Sequence, residues 1–411
     1  MAERKIEDLK SYSPKALKEL VNTFVNTNKS LAAKGLDPIS LNIHGHAGLG
    51  KTAIVEQVAQ SQGMAFENIP VAQLTETGDV LGFPTVEHQM TGDGSPEPIW
   101  VNENVISDYR DKGYSPTGKT RMGIAPPEWL SDKPMILLLD DYTRAVPHML
   151  QACMEIIEKQ RTPNWKLPKG STVIMTTNPS DDADYVGVNA MGSAQTTRFA
   201  QVHLVYDKTD WAEYATRRGI DGRCINFMLM NPELVKEKVS PPRLFEKFFN
   251  LVSCVPNWNS TEGLTTINDL GTSTVGGTIT SHFVTFIHNK LDRIPEPEEI
   301  FSENSADTTV TKLVMDSCIV EDSIREDIVS TMMFRVKDYL KAECLEKRKS
   351  ITKHMVKRLE LLCTLSHNKI DLVGVDNMGN IGRELMKDDR DASLMQEMWN
   401  HPAIKDKITL F

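Results

Sequence analysis

The sequence predicts an α/β chain: a parallel sheet covered by helices, followed by a region of helices alone. Three observations carry that expectation. The glycine-rich stretch Gly45-His46-Ala47-Gly48-Leu49-Gly50-Lys51-Thr52 lies between an alternating apolar segment, residues 39–43, and a helical-looking one, residues 53–59. Met135-Ile136-Leu137-Leu138-Leu139 is a continuous apolar run ending in Asp140-Asp141, as expected of a strand buried on both faces. Strand and helix signals then alternate up to Leu204, the rhythm of βαβ units.

Each element has its own signal. Ser13-Pro14 sets an N-cap and a first-turn proline, after which Ala16, Leu17, Leu20, Val21, Phe24 and Val25 recur at helical spacing up to Gly35. Past the glycine-rich stretch and its helix, Gly63 reads as a C-cap and residues 65–71 as a second strand. Residues 75–127 break the rhythm with Gly78, Gly82, Pro84, Pro98, Gly113 and Gly123. This is a long insert, either carrying hairpins of its own or forming a mobile surface loop. Gly92-Asp93-Gly94, between Val86 and Ile99-Trp100, has the composition of a hairpin turn.

After the apolar strand comes a helix whose face is marked by Leu150, Cys153, Met154, Ile156 and Ile157, then strand 172–177 ending at Asn178-Pro179. Val202 and Leu204 mark the last strand. Residues 211–218, 223–230 and 243–252 read as helices, and 257–278, rich in Thr, Ser and Gly, as a linker or exposed loop. Phe283, Val284, Phe286, Ile287 and Leu291 form a helical stripe that Pro295 and Pro297 terminate. The remainder is mostly helical in pattern, and its basic spots, Lys347-Arg348-Lys349 and Lys357-Arg358, read as solvated faces.

The glycine-rich stretch has the form of a phosphate-binding loop. Its glycines let backbone N–H groups close on a β-phosphate, Lys51 brings a point charge to the β- and γ-oxygens, and the Thr52 hydroxyl can ligate Mg²⁺. A second match, Gly113-Tyr114-Ser115-Pro116-Thr117-Gly118-Lys119-Thr120, follows no buried strand and runs into Gly123, Pro126 and Pro127 instead of a helix. It reads as a loop decoy.

Composition bounds the rest. At 411 residues there is length for two or three domains, and 40% apolar with 25% charged residues is ordinary for a globular protein. The longest apolar run is far short of a membrane span, and the charged opening Met1-Ala2-Glu3-Arg4-Lys5 lacks a secretory apolar region, so a cytoplasmic protein is expected. The six cysteines show no paired spacing and read as reduced packing residues. A formal charge of −10 argues against duplex nucleic acid as the main partner.

In chain order, the phosphate loop, residues 137–141, strand-terminal Asn178 and Arg243 on a late helix resemble an AAA+ ATPase. The closer resemblance is to its MoxR-like branch, on Asp140-Asp141-Tyr142-Thr143-Arg144-Ala145-Val146-Pro147, on Asn178-Pro179, on Gln195-Thr196-Thr197-Arg198-Phe199, and on residues 74–82 at the head of the insert. The resemblance covers residues 39–252. It implies a P-loop core over residues 1–206 containing the insert at about 75–127, an α-helical lid over 207–305 and a helical extension over 306–411. It further implies a ring homo-oligomer, a hexamer, that binds ATP and Mg²⁺ between subunits and remodels a protein client or adaptor, with a von Willebrand A-domain protein as a candidate partner. Gly45 to Thr52 would hold the phosphates, Thr52 and Asp140 the metal, and Asp141 would act as the base. Asn178 would position the attacking water, Arg198 would be the arginine given to the neighbouring subunit, and Arg243 would reach the nucleotide from the lid.

One departure matters. The family places Glu where this chain has Asp141, shorter by one C–C bond, about 1.5 Å. A general base works within about 2.6–3.2 Å of its proton or through one water, so slow hydrolysis follows as an alternative: a nucleotide-gated scaffold. A third reading, a nucleic-acid loader or translocase, rests on Arg110, Lys112, Lys119 and Arg121 beside Tyr109 and Tyr114 in the insert.

Overall fold

The computed structural model describes residues 9–92, 97–179, 191, 193–288, 294–320, 322–347, 350–374, 377–379 and 381–382. The chain divides into two compact units, Met1–Asp207 and Lys208–Phe411.

The first unit opens with helix α1, Pro14–Ala33, whose N-cap Ser13 accepts a hydrogen bond from Ala16 N. Strand β1, Ser40–His44, leads through the glycine-rich loop into α2, Lys51–Gln62, which closes on left-handed Gly63 at φ 61°. Strand β2, Ala65–Pro70, follows. Then come β3, Phe83–Gly92, β4, Ile99–Asn102, the short helix α3, Ile106–Asp111, and β5, Tyr114–Ala125. The unit is completed by β6, Met135–Asp140, α4, Pro147–Lys159, β7, Thr172–Thr177, and β8, Phe199–Leu204.

The main sheet runs β8-β1-β7-β6-β2, all parallel, with the two-residue strand Ser11–Tyr12 outside β8. Because side chains alternate across a strand, β6 feeds two cores. Ile136 and Leu138 join Leu41, Ile43 and Ile174 in the core that also holds Leu17, Val21, Val55 and Val58 of α1 and α2. Met135, Leu137 and Leu139 join Val173 and Met175 against Met149, Cys153, Ile156 and Ile157 of α4. The expected fold class, a parallel helix-covered sheet around the loop with helices beyond it, is what the structure has.

The insert carries its own architecture. Strands β3, β4 and β5 form an antiparallel sheet in the order β4-β3-β5, with a bulge between His88 and Met90. Asp93 and Gly94 of the expected turn lie outside the described residues. The second G-x4-GKT match is corrected from loop to strand: Tyr114 to Thr120 belong to β5, an edge strand that pairs with β3. Arg121 lies over the Trp100 ring at 4.5 Å and pairs with Glu87 at 2.7 Å, and Tyr109 and Tyr114 meet edge to face at 5.6 Å. At the foot of the insert, the indoles of Trp129 and Trp165 donate to Asp79 O and Leu81 O, and the two rings pack edge to face. The insert is thereby tied to the core at two backbone points.

The second unit is helical: α5, Lys208–Arg217, α6, Gly222–Met230, α7, Pro242–Val252, α8, Thr261–Thr274, α9, Gly277–His288, α10, Asp307–Cys318, α11, Glu326–Leu340, and α12, Lys353–Thr364. One sequence expectation is corrected here. Residues 257–278 are not a linker, because Ser260 caps α8 by accepting from Gly263 N at 3.0 Å and α8 lies against α9. Its Gly271 is buried where a Cβ would come within 2.5 Å of the Thr280 hydroxyl, so small residues allow the close approach. Pro297 starts a short helix, Pro297–Ile300, as well as following α9. Leu291 and the pair Arg348-Lys349 lie outside the described residues.

Arg358, expected on a solvated face, is buried. Its guanidinium donates to Ser302 O at 3.2 Å, to Ser305 O and to Asp307, so the buried charge is paired and hydrogen-bonded. Five cysteines are buried and Cys254 is exposed, all with free thiols. No helix among the described residues is long and apolar enough to cross a membrane.

Candidate active site

Parallel pairing puts the C-terminal ends of β1, β6 and β7 side by side, and the loops leaving them form the site. Gly45 N donates to Thr177 O at 3.2 Å, which fixes the start of the phosphate loop to β7. Gly48 at φ 87° and Gly50 at φ 90° take left-handed conformations that turn the chain into α2. The first N–H groups of α2 have no partner within their helix, a ready-made anion site. Leu49 packs its side chain into the core below, so the loop is anchored from the inside.

Lys51 is 7% exposed. Its ammonium donates to Gly45 O at 2.6 Å, His46 O at 3.1 Å and Asn178 Oδ1 at 3.1 Å. The Thr52 hydroxyl donates to Asp140 Oδ2 at 3.0 Å, and Thr176 Oγ1 donates to Asp140 Oδ1. Thr52 and Asp140 are hard oxygen donors on adjoining elements, the donor set that Mg²⁺ prefers, so these residues fit the metal.

Asp141 stands just past β6 in a left-handed conformation, φ 51° and ψ 36°. Its N–H donates to Thr176 Oγ1 at 3.1 Å, and its Oδ1 accepts from Asn178 Nδ2 at 2.9 Å. Arg144 lies 4.0 Å from its other oxygen. Asn178, 3% exposed, therefore bridges the cation and the carboxylate, with its amide oxygen toward Lys51 and its amide nitrogen toward Asp141. Behind the pair, Tyr142 is fully buried and its hydroxyl donates to Leu150 O at 3.1 Å, which ties the turn after Asp141 to α4. Burial raises the Tyr142 phenol well above its ordinary value, so it stays protonated as a donor.

Of the residues expected from sequence, the structure brings together Lys51, Thr52, Asp140, Asp141 and Asn178. Arg198 instead pairs with Glu158 at the end of α4, at 2.6 Å on the surface. Arg243 is exposed at the second position of α7, in the other compact unit.

Sequence reading missed Thr176 and a set of buried polar groups beneath the loop. On three neighbouring strands, Asn42, His44 and Thr177 lie within hydrogen-bonding distance of one another, and Gln201 joins them through His44. Burial lowers His44 to about 4, the charges of His203 and Lys51 push the same way, and the Gln201 hydrogen bond opposes them. The imidazole is neutral. The available signal was Ser40, Asn42 and His44 alternating with apolar residues, which ordinarily marks a solvated face.

No protein-family model matches the chain, and no curated protein matches its sequence. Among solved structures it is similar to the Thermotoga maritima RuvB Holliday junction branch migration motor, at 13% identity and a TM-score of 0.33, covering 72% of this chain and 76% of that one. It is also similar to a provisionally assigned ATPase from Cytophaga hutchinsonii, at 14% identity and a TM-score of 0.30, covering 91% and 88%. At such identities and TM-scores, the functional reading rests on the residues of the site.

Proposed function

We propose that the chain is a Mg²⁺-dependent ATPase of the AAA+ kind, near its MoxR-like branch, that acts as a ring and remodels a protein client or adaptor. The observation that carries this reading is the junction of Lys51, Asn178 and Asp141 beside the Thr52–Asp140 pair at one end of the sheet. Phosphoryl transfer needs positioning and neutralisation of spreading negative charge more than covalent chemistry, and these groups supply both. Lys51 and the α2 N–H groups bind phosphate oxygens, while Thr52 and Asp140 would hold Mg²⁺, which would supply neutralisation of phosphate charge. Asp141 takes the proton of the attacking water, and Asn178 keeps that carboxylate in register with the Lys51 ammonium.

Two arginines complete the site in this reading. Arg198 leaves Glu158 and serves the neighbouring subunit, and Arg243 reaches the nucleotide from a lid formed by residues 207–305, with 306–411 as an extension. A hexamer and a von Willebrand A-domain partner follow from the family resemblance. The insert sheet contacts the client through exposed Phe83 and the half-buried Trp100, Tyr109 and Tyr114. A nucleic-acid client is less favoured, because the charge of Arg121 is already matched by Glu87. A second reading, a slowly turning scaffold, is supported by the short Asp141 side chain, whose Oδ1 is already engaged by Asn178.

The test is subunit mixing. Arg198→Ala and Asp141→Asn proteins, each turning ATP over at a small but measurable residual rate, should regain part of the wild-type rate when mixed, because some interfaces then pair an intact base with an intact arginine. Mixed rings that stay at the residual rate, with mixing verified by native mass spectrometry, refute the shared site.

A further inference from the structure

Strand β1 reads Ser40-Leu41-Asn42-Ile43-His44, and all five residues are buried. Leu41 and Ile43 fill the core of α1 and α2. The other face, which an apolar row would fill equally well, carries Ser40, Asn42 and His44. Ser40 Oγ donates to Ile157 O at 2.5 Å at the end of α4. Register places His44 opposite Thr177 on β7 and His203 on β8, and Asn42 opposite Gln201. His44 Nδ1 is 2.9 Å from Thr177 Oγ1, and its Nε2 is 2.9 Å from Asn42 Nδ2 and 3.0 Å from Gln201 Oε1. Buried polar groups are costly unless each finds a partner, so a row this complete is a constraint on structure, not a filler of volume.

Proton counting gives this group two settings. With the imidazole proton on Nδ1, His44 donates to Thr177, Thr177 donates to Asn42 Oδ1 at 3.2 Å, and Asn42 donates back to Nε2. Gln201 Oε1 then faces a lone pair. With the proton on Nε2 and the Asn42 amide reversed, every donor points one way: Asn42 to Thr177, Thr177 to Nδ1, Nε2 to Gln201 Oε1. Gln201 Nε2 in turn donates to Thr196 O, at a long 3.5 Å. Thr196 lies in the turn closed by Arg198 N donating to Gln195 O at 3.1 Å.

We infer that His44 and Gln201 are positioning residues that link the root of the phosphate loop to the turn presenting Arg198. His44 immediately precedes Gly45, and Thr177 immediately precedes Asn178, so the group touches the roots of both segments that meet at Lys51. Only the second setting engages Gln201 on both sides. A shift of the loop that reverses the setting releases or tightens the Arg198 turn, and the nucleotide state of one site is passed to the arginine offered to the next.

This inference rests on reading Arg198 as an arginine that acts on ATP in a neighbouring subunit, and the experiment separates the two. Steady-state ATP turnover and nucleotide affinity are measured on full-length assembled wild type, Gln201→Met, Arg198→Ala and the double variant. Gln201→Met keeps the side-chain length without hydrogen bonds. It should lower kcat by on the order of tenfold or more, as small misplacements of a reacting group do, with nucleotide affinity within about twofold of wild type, the tolerance expected of sites that do not couple. In the Arg198→Ala background it should cost nothing further, because it works through that arginine. An equal loss in both backgrounds overturns the inference and leaves the ATPase reading standing. If Gln201→Met does not bind nucleotide, Gln201→Glu decides: it still accepts from His44 but cannot donate to Thr196, so wild-type turnover in that variant also overturns the inference. A wild type without turnover in any assembly condition refutes the ATPase reading, and the inference with it.

Discussion

Replacing Asp141 tests the chemistry and the backbone together. At φ 51° and ψ 36° the residue occupies the left-handed region, where a side chain carrying a Cβ pays roughly 1–2 kcal/mol and Asp and Asn recover part of this through local hydrogen bonds. Two tertiary hydrogen bonds also hold the residue in place: Asp141 N donates to Thr176 Oγ1, and Asp141 Oδ1 accepts from Asn178. Asp141→Asn keeps the conformational preference and removes the base. It should bind nucleotide with wild-type affinity and fold as stably, while turnover falls by about 10²–10⁴, the usual contribution of a general base. Asp141→Glu keeps the base and extends it by about 1.5 Å, but it loses the local preference of Asp. Turnover should be kept or raised, and the unfolding midpoint should drop by about 2–4 °C, the shift expected of ~1 kcal/mol in a unit of this size. Phosphate release, fluorescent-nucleotide titration and a thermal melt read the three quantities. Wild-type turnover in Asp141→Asn would refute the assignment of the base, and an Asp141→Glu melt at or above wild type would refute the strain argument.

The other predictions concern the loop, the core and the buried histidine. Lys51→Ala should abolish nucleotide binding and Lys119→Ala should leave it intact, because Lys119 sits on an exposed strand; the reverse result in a titration would refute the site. Leu138→Ala, in the fully buried centre of β6, should cost about 2–5 kcal/mol in chemical denaturation, and a cost below ~1 kcal/mol, typical of a surface position, would contradict its placement. His44 is lowered from 6.5 to about 4, so the unfolded chain takes up this proton first. The stability tied to the neutral form is complete above pH 6.5 and is lost as the pH falls toward 4, by on the order of 3 kcal/mol in all. The stability difference between wild type and His44→Asn should shrink by that amount from pH 7 to 4, and parallel profiles would place the imidazole in water.

The sheet and its loop were legible because they depend on local rules. A continuous apolar run such as Met135 to Leu139 has few solutions other than a strand covered on both faces, and Gly48 and Gly50 declare their left-handed turns by having no Cβ. Elements that depend on a partner were not legible. Residues 257–278 look like a linker because Gly and Thr carry little apolar signal, yet the same small side chains let α8 and α9 come close. Arg358 looks solvated until Asp307 and the carbonyls of Ser302 and Ser305 appear beside it. In the site, Lys51, Thr52, Asp140, Asp141 and Asn178 are spaced along the chain in an order that can be read, whereas Thr176 is an ordinary β-branched strand residue until its hydroxyl is seen on Asp140. The row Ser40, Asn42, His44 reversed its usual meaning, because neighbouring strands supply the partners that water would otherwise provide.

That same row bears on how the chain is made. Strand β1 pairs with β7 and β8, both far downstream, so it leaves the ribosome without either neighbour. At roughly 5–20 residues per second, about 160 further residues to Leu204 take on the order of 8–30 s, and during that time β1 is a strand with two open edges. An all-apolar strand left waiting so long would recruit other nascent chains. Ser40, Asn42 and His44 leave one of its faces polar until Thr177 and Gln201 arrive, so the residues that tie the folded sheet also limit the apolar surface a waiting strand presents.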